Sequence, residues 1–345
     1  MPMIVITMFI YPPNTPSISD LTVRLCRGEM DYPAIVTINN ASWSLNDRLD
    51  VDTLEDCRAS FAAIAHLNLT RDVLIAEISG QPIAYAVVAH GDGTDAQGQS
   101  ERWFDVEATV TPQWRRRKVG RALHGWLESR ATEILTDLPA VDRTYLTSTT
   151  RDKNTGRAIL LQQFGFEPTR FWFGMEQSLA EAKAEHPLPD NLEVRAVRAE
   201  HFRKILTAHQ DAFRERPDNQ AQPTDAELAE FGSSAIWQMK QYKLWQVAWD
   251  GDEVAGMVLN NIDLKGNQQL GLNRGFTDPI CVGHKWRRRG VAKALISRSL
   301  NVLRQAGVKT AFLGVDTQNP HGALRLYEAM GFVKVKSGTT YQKDI

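Results

Sequence analysis

Residues 286–295 read WRRRGVAKAL, three arginines (Arg287, Arg288, Arg289) directly before Gly290 and a helix-like pattern that opens at Val291 and Ala292. This combination suits a pyrophosphate. A strand-to-helix turn presents uncommitted backbone N–H groups at the positive end of a helix dipole. Flanking arginines add charge-assisted bonds to phosphate oxygens. Gly290 admits positive φ and lets a ligand approach the backbone. The strand expected before the turn ends at Ile280-Cys281-Val282, and Asp278 just ahead of it is a candidate proton acceptor. Downstream, Asn319 and Tyr327 fall in NPHGALRLYEAMGF. Asn319 suits a helix cap, and Tyr327 is either a core aromatic or a phenol available for proton transfer.

The same arrangement occurs earlier. WRRRKVGRAL begins at Trp114, 172 residues before Trp286, and places Lys118 where the later copy has Gly290. The flanks follow. LTVRLCRGEMDY at Leu21 corresponds to LEVRAVRAEHFR at Leu192, and VLIAEISGQPIAYAVV at Val73 to LWQVAWDGDEVAGMVL at Leu244. The second pair reads as strand, glycine-containing turn, strand. Val119, Leu123, Trp126, Leu127 and Ile134 form one helical face, as do Val291, Leu295, Ile296, Leu300 and Leu303. Each half therefore reads as strand, helix, three strands, helix, strand, helix, strand, which makes a mixed α/β sheet with α+β character. Expected boundaries are an extension at 1–18, a first domain at 19–178, a Pro-containing linker at 179–190 and a second domain at 191–345.

Composition limits the function classes. The net charge of −1 lacks the basic excess that nucleic acid or an anionic membrane surface requires, and neither is expected as a partner. Cys26, Cys57 and Cys281 are far apart, in no metal-ligand spacing, and suit a reducing compartment. The apolar start, MPMIVITMFIYPP, has no early Lys or Arg and is too short to span a bilayer. A cytoplasmic protein is expected. The chain has neither a GxxxxGK[ST] loop nor a GxGxxG fingerprint after a first strand. Its scattered histidines indicate no metal site.

The R-x-x-G-x-A pattern at Arg287–Ala292, with Asn319 and the LeuTyr…GlyPhe pairs behind it, resembles the GNAT superfamily of N-acetyltransferases. Because both halves share the pattern, the whole resembles a tandem of two GNAT-like acyl-CoA N-acyltransferase domains, in the arrangement of mycothiol synthase-like enzymes. The resemblance implies acetyl-CoA as cosubstrate, with its pyrophosphate on Arg287, Arg288, Arg289, Gly290, Val291 and Ala292. It implies pantetheine pairing along Ile280, Cys281 and Val282 and a contact from Asn319. It makes Tyr327 the proton donor to the departing thiolate, and the attack direct, without an enzyme-bound intermediate. Asp278 is then the expected base, and a small-molecule amine or a peptide the expected acceptor. In the first copy Lys118 replaces glycine and Gln162 stands eight residues after Asn154, where Tyr327 stands eight after Asn319. That half is expected to be degenerate. A non-catalytic acyl-CoA sensor, or an acyltransferase using another acyl-CoA, are the competing readings, and a monomer and a homodimer both remain open.

Overall fold

The computed structural model describes residues 9–42, 52–95, 97–182, 184–213, 241–319 and 321–345. The acceptor-lining stretch expected around Phe213–Trp249 lies mostly outside the described residues, as does Pro320. Two compact units are present. One comprises residues 1–92, 99–170 and 338–345, the other 93–98 and 171–337.

In the first unit the order is β1 (Leu21–Leu25), α1 (Tyr32–Ser42), α2 (Leu54–Ala62), the single turn α3 (Leu69–Asp72), β2 (Val73–Ile78), β3 (Gln81–Thr94), β4 (Ser100–Val110), α4 (Val119–Thr136), β5 (Arg143–Arg151) and α5 (Thr155–Gln163). β6 (Glu167–Ser178) follows. The β2–β3 hairpin turns at Ser79 and Gly80, both with positive φ (48° and 76°), which matches the twist of two-residue hairpins. β4 pairs in parallel with β5 only from Glu101 to Asp105, and β5 takes residues 338–344 as its antiparallel neighbour. Alternation along the strands divides the core. Leu74, Ala76, Phe104 and Val106 meet the Val119, Leu123 and Leu127 stripe of α4. Val73 and Ile75 face the other way, with Tyr32 and Ile35 of α1.

The second unit repeats this plan. It contains β7 (Glu193–Val194), α6 (Phe202–Phe213), β8 (Gln246–Asp250), β9 (Glu253–Val258), α7 (Leu264–Leu270), β10 (Arg274–Phe276), β11 (Ile280–Val282), α8 (Val291–Gln305), β12 (Thr310–Asp316) and α9 (Ala323–Ala329). β13 (Val333–Asp344) closes the chain. Residues 172–178 pair antiparallel with β12. Ala248, Ala255 and Val258 pack on the Val291, Leu295 and Leu300 stripe of α8. Val247, Trp249 and Met257 pack with Ile205 of α6. Each fully buried Leu or Ile in such a stripe contributes roughly 1.5–3 kcal/mol. The one strand expected before the arginine run is two: β10 pairs in parallel with β12, and β11 pairs antiparallel with β9.

A buried ion cluster ties β1 to the start of α1. Arg24 is 1 % and Asp31 0 % exposed, and the guanidinium grips the carboxylate in two bonds of 2.7 and 2.9 Å. Arg24 also reaches Glu77 at 2.6 Å, and Arg27 donates to Asp31 from its backbone N–H and its side chain. Burial works to raise the Asp31 carboxyl, but the bonds from Arg24 and Arg27 outweigh it and hold it well below the usual carboxylate range. The depressed value means that this stabilisation is complete above the unfolded value of about 3.9 and fades as pH falls below it. Asp31→Ala leaves Arg24 buried against Glu77 alone. The expected loss is about 3–5 kcal/mol in urea unfolding at pH 7, shrinking toward pH 2; a loss independent of pH would contradict this account.

Candidate functional site

The second unit builds its site where one strand changes partners. Thr277 still donates its N–H to Phe312 of β12 at 2.9 Å. Pro279 has no N–H to continue that ladder, and its carbonyl instead accepts from Leu259, just past β9, at 3.1 Å. Beyond this point β11 belongs to a separate sheet, of which it is the edge strand. Gly283 donates to Ala255 at 3.0 Å. These two bonds bracket the Cys281–Met257 pair and turn the backbones of 279, 281 and 283 toward β9. By alternation the N–H and C=O groups of Ile280 and Val282 line the opposite, open edge.

Asp278 sits at the divergence. Its Oδ2 accepts the Gly314 N–H of β12 at 3.2 Å, while Oδ1 is buried and accepts no hydrogen bond among the described residues. Burial pushes the carboxyl up to about 6, against the opposing pull of the Gly314 and Thr277 backbone N–H groups. Cys281 lies apart from this edge, with its thiol in the α6 core and burial pushing it up to about 12 despite Arg287. A thiol held so firmly protonated is a poor nucleophile.

The three arginines differ in what they do. Arg287 is a brace: Nε donates to Val282 O at 3.1 Å, Nη2 to Ala212 O near the end of α6 at 3.3 Å, and Nη1 lies 2.9 Å from His321 Nε2. Arg288 takes the left-handed conformation (φ 60°), and so does Gly290 (φ 88°). Arg288 and Arg289 are exposed and make no ion pair or hydrogen bond among the described residues. Gly290 is the N-cap of α8, Val291 is buried beneath it and Ala292 is half-buried; no side chain caps the helix. The turn therefore ends in an uncapped helix N-terminus flanked by two unengaged guanidinium groups, which suits an anion.

Asn319 does not cap a helix. Its Oδ1 accepts the His321 N–H at 2.9 Å, and α9 begins later, with Gly322 as N-cap. Asn154, its counterpart in the first unit, does cap α5. Tyr327 lies on the buried face of α9, 7 % exposed, its ring 6.1 Å from that of Phe332. The His321 contact to Arg287 and the Gly314 contact to Asp278 had no sequence signal, because each joins segments that only the folded chain brings together.

The first unit has the same turn. Arg116 (φ 61°) and Lys118 (φ 66°) are left-handed, and Arg115 Nε donates to Val110 O at 3.0 Å, the counterpart of the Arg287 bond to Val282. Lys118 thus adopts the conformation that its Cβ disfavours by about 1–2 kcal/mol. The tryptophans differ. Trp286 is buried and donates to Asp250 at 2.8 Å, and a Cβ on Gly283 would stand 2.8 Å from its ring. Thr111 replaces that glycine in the first unit, where Trp114 is only half-buried, beneath Arg117.

Residues 204–332 match the acetyltransferase (GNAT) family. The chain is 29 % identical to a mycothiol acetyltransferase of Geodermatophilus obscurus over 282 residues, which cover 76 % of this chain and 79 % of that one. A GCN5-related N-acetyltransferase from Sphaerobacter thermophilus shares its fold, with a TM-score of 0.70 at 22 % identity over 95 % and 96 % of the two chains. A tandem GNAT protein from the clavulanic acid biosynthesis pathway gives a TM-score of 0.65 at 14 % identity, over 94 % of this chain and 98 % of that one. Residues 204–332 thus carry the acetyltransferase-family match within a fold shared with a tandem GNAT protein, and the mixed α/β plan read from the repeat is the one the chain has.

Because Lys118 tolerates the left-handed turn, Gly290→Lys is expected to fold with a penalty of about 1–2 kcal/mol. A Cβ at Gly290 meets open space, so the cost is conformational and not steric. Gly290→Val, β-branched at positive φ, is expected to cost distinctly more. Equal urea midpoints for the two variants would contradict this reading of the turn.

Proposed function

We propose that the protein is an acetyl-CoA-dependent N-acetyltransferase that acetylates a primary amine by direct attack in a ternary complex, with chemistry centred in the second unit. One observation carries the reading: Asp278, whose Oδ1 accepts no hydrogen bond among the described residues, stands where the chain leaves β12 and β11 begins with its backbone edge open. The name of the Geodermatophilus relative supports acetyl as the group transferred.

The residues present fit the cosubstrate. Arg288, Arg289 and the N–H groups at the start of α8 would hold its pyrophosphate, with Arg287 bracing the turn. Ile280 and Val282 would pair with the amide groups of its pantetheine arm, and Asn319 lies on the loop before α9. Acetyl-CoA supplies the acetyl group as a thioester. An alkylamine has a pKa of about 10 and arrives mostly protonated. Asp278, ionised above about pH 6, takes one proton as the ammonium becomes the attacking amine, and the second, shed as the amide forms, leaves to solvent. The Val282 N–H donates to the acyl oxygen as charge develops there. Tyr327 gives its phenolic proton to the departing sulfur, and the C–S bond breaks as the C–N bond persists.

Single-turnover rates of coenzyme A release, measured with any accepted amine, test these roles. The rate should rise through about pH 6 and then level, and Asp278→Asn should remove that limb. Because burial raises the Asp278 value, its ionisation weakens the fold as pH climbs from about 4 to 6. Asp278→Asn is therefore expected to melt no lower than wild type at pH 7. Tyr327→Phe should slow the chemical step by about 10²–10⁴-fold with coenzyme A binding nearly unchanged. An acid limb that survives in Asp278→Asn, or a wild-type chemical rate in Tyr327→Phe, would overturn the assignments.

A further inference from the structure

Arg287 gathers three segments of the second unit at one guanidinium. Nε donates to Val282 O at the end of β11 at 3.1 Å, and Nη2 to Ala212 O near the end of α6 at 3.3 Å. Nη1 lies 2.9 Å from Nε2 of His321, in the loop before α9. A guanidinium only donates, so Nε2 is the acceptor; the imidazole is neutral and carries its proton on Nδ1. The His321 backbone is held as well, since its N–H donates to Asn319 Oδ1 at 2.9 Å. Asn319 thus places His321, and His321 fixes the third direction of the Arg287 fork.

The first unit separates what the turn needs from what the second unit adds. Arg115 repeats two of the three bonds. Its Nε donates to Val110 O at 3.0 Å, and its Nη2 to the carbonyl of Ser42, the last residue of α1, at 2.7 Å. With these two bonds the first unit holds the same left-handed positions, at Arg116 and Lys118, as the second does at Arg288 and Gly290. The third acceptor has no counterpart. His321 stands two residues past Asn319, whereas two residues past Asn154 stands Gly156, which has no side chain to accept. Asn154 itself is engaged in capping α5. In the second unit the N-cap of α9 is Gly322, and His321 stays in the preceding loop, where its ring reaches Arg287.

The turn therefore forms without a third acceptor, and folding of the turn does not account for His321. We propose that His321 is a positioning residue for the acyl donor: it stops the Arg287 guanidinium from pivoting about its two carbonyl partners, and so fixes the loop before α9 against the turn at 287–292. The proposal rests on the reading of that turn as the pyrophosphate site. A cosubstrate that touches both the turn and the loop then meets them already placed. Without the bond, ordering the loop is left to the binding step and lowers affinity.

Two variants and one spectrum of the full chain test this. In the ¹⁵N-labelled protein at pH 8, the His321 ring signals, assigned by their absence from His321→Gln, should show an imidazole protonated at Nδ1. Titration calorimetry with coenzyme A should give a Kd about three- to tenfold higher for His321→Leu, the worth of one hydrogen bond. His321→Gln, whose amide oxygen can accept from Nη1, should bind as the wild type does. His321 is exposed, and both variants should melt with the wild type. A purely structural role would lower the melting temperature and would not separate Leu from Gln. A ring protonated at Nε2, or equal losses in the two variants, would overturn the proposal. If the wild type binds coenzyme A and His321→Leu binds it equally well, the donor-site reading stands and this role for His321 falls. If the wild type itself does not bind, the donor-site reading falls, and the role of His321 falls with it.

Discussion

The second unit depends on a strand that cannot keep one partner. From Arg274 to Thr277 the backbone is committed to β12, and from Pro279 onward it is committed to β9. The change follows from proline chemistry: at position 279 the ladder to β12 would need an N–H that does not exist. Two consequences follow. The polar edge of β11 is left facing a gap instead of a neighbour, and Asp278, at the fork, is fastened to β12 through only one of its oxygens. A free strand edge beside an under-satisfied carboxylate is costly in an interior where nearly all polar groups are paired. Such a feature is characteristic of a place where a ligand completes the bonding.

The turn after β11 shows how a repeated motif distributes its work. The first arginine of each run donates to the carbonyl of the residue that ends the preceding strand, Val110 or Val282. This bond sets the angle at which the chain enters the helix. The second arginine is left-handed in both units, and the glycine or lysine that follows is left-handed too. Both halves thus retain the backbone that exposes helix N–H groups. They diverge in what surrounds it. The second unit buries Trp286 over Gly283, whereas the first has Thr111 and a half-buried Trp114. The first unit also has an acidic cavity along β4, where its own parallel ladder ends at Asp105.

Much of this was legible in the sequence. Period-two and period-3.6 apolar patterns located the hairpins and the helices α4 and α8, because burial on one face imposes those periods whatever the loops do. The arginine runs marked the turn, since their spacing is local. Four features were not legible. The expected single strand Ile280–Val282 gave no sign that residues 274–276 pair elsewhere, since partner choice is a long-range property. The strain attributed to Lys118 did not displace the turn, because flanking bonds such as Arg115 to Val110 hold it. Asn319 looks like a cap by composition, but the N-cap of the helix is Gly322, three residues further on, and the Asn319 side chain closes a local turn instead. The cavity of the first unit combines residues from α1, α2, β3, β4 and β5, each unremarkable in its own segment.

The central claim is that the open edge and turn of the second unit receive the acyl donor. Hydrogen–deuterium exchange of the full chain with and without coenzyme A tests it most directly, because the groups concerned are backbone amides. The account predicts slowed exchange in peptides spanning 280–293, including the Ile280 and Val282 amides, which have no partner strand among the described residues, and little change at β8, whose amides are already paired. Unchanged exchange across 280–293 at saturating coenzyme A would contradict it.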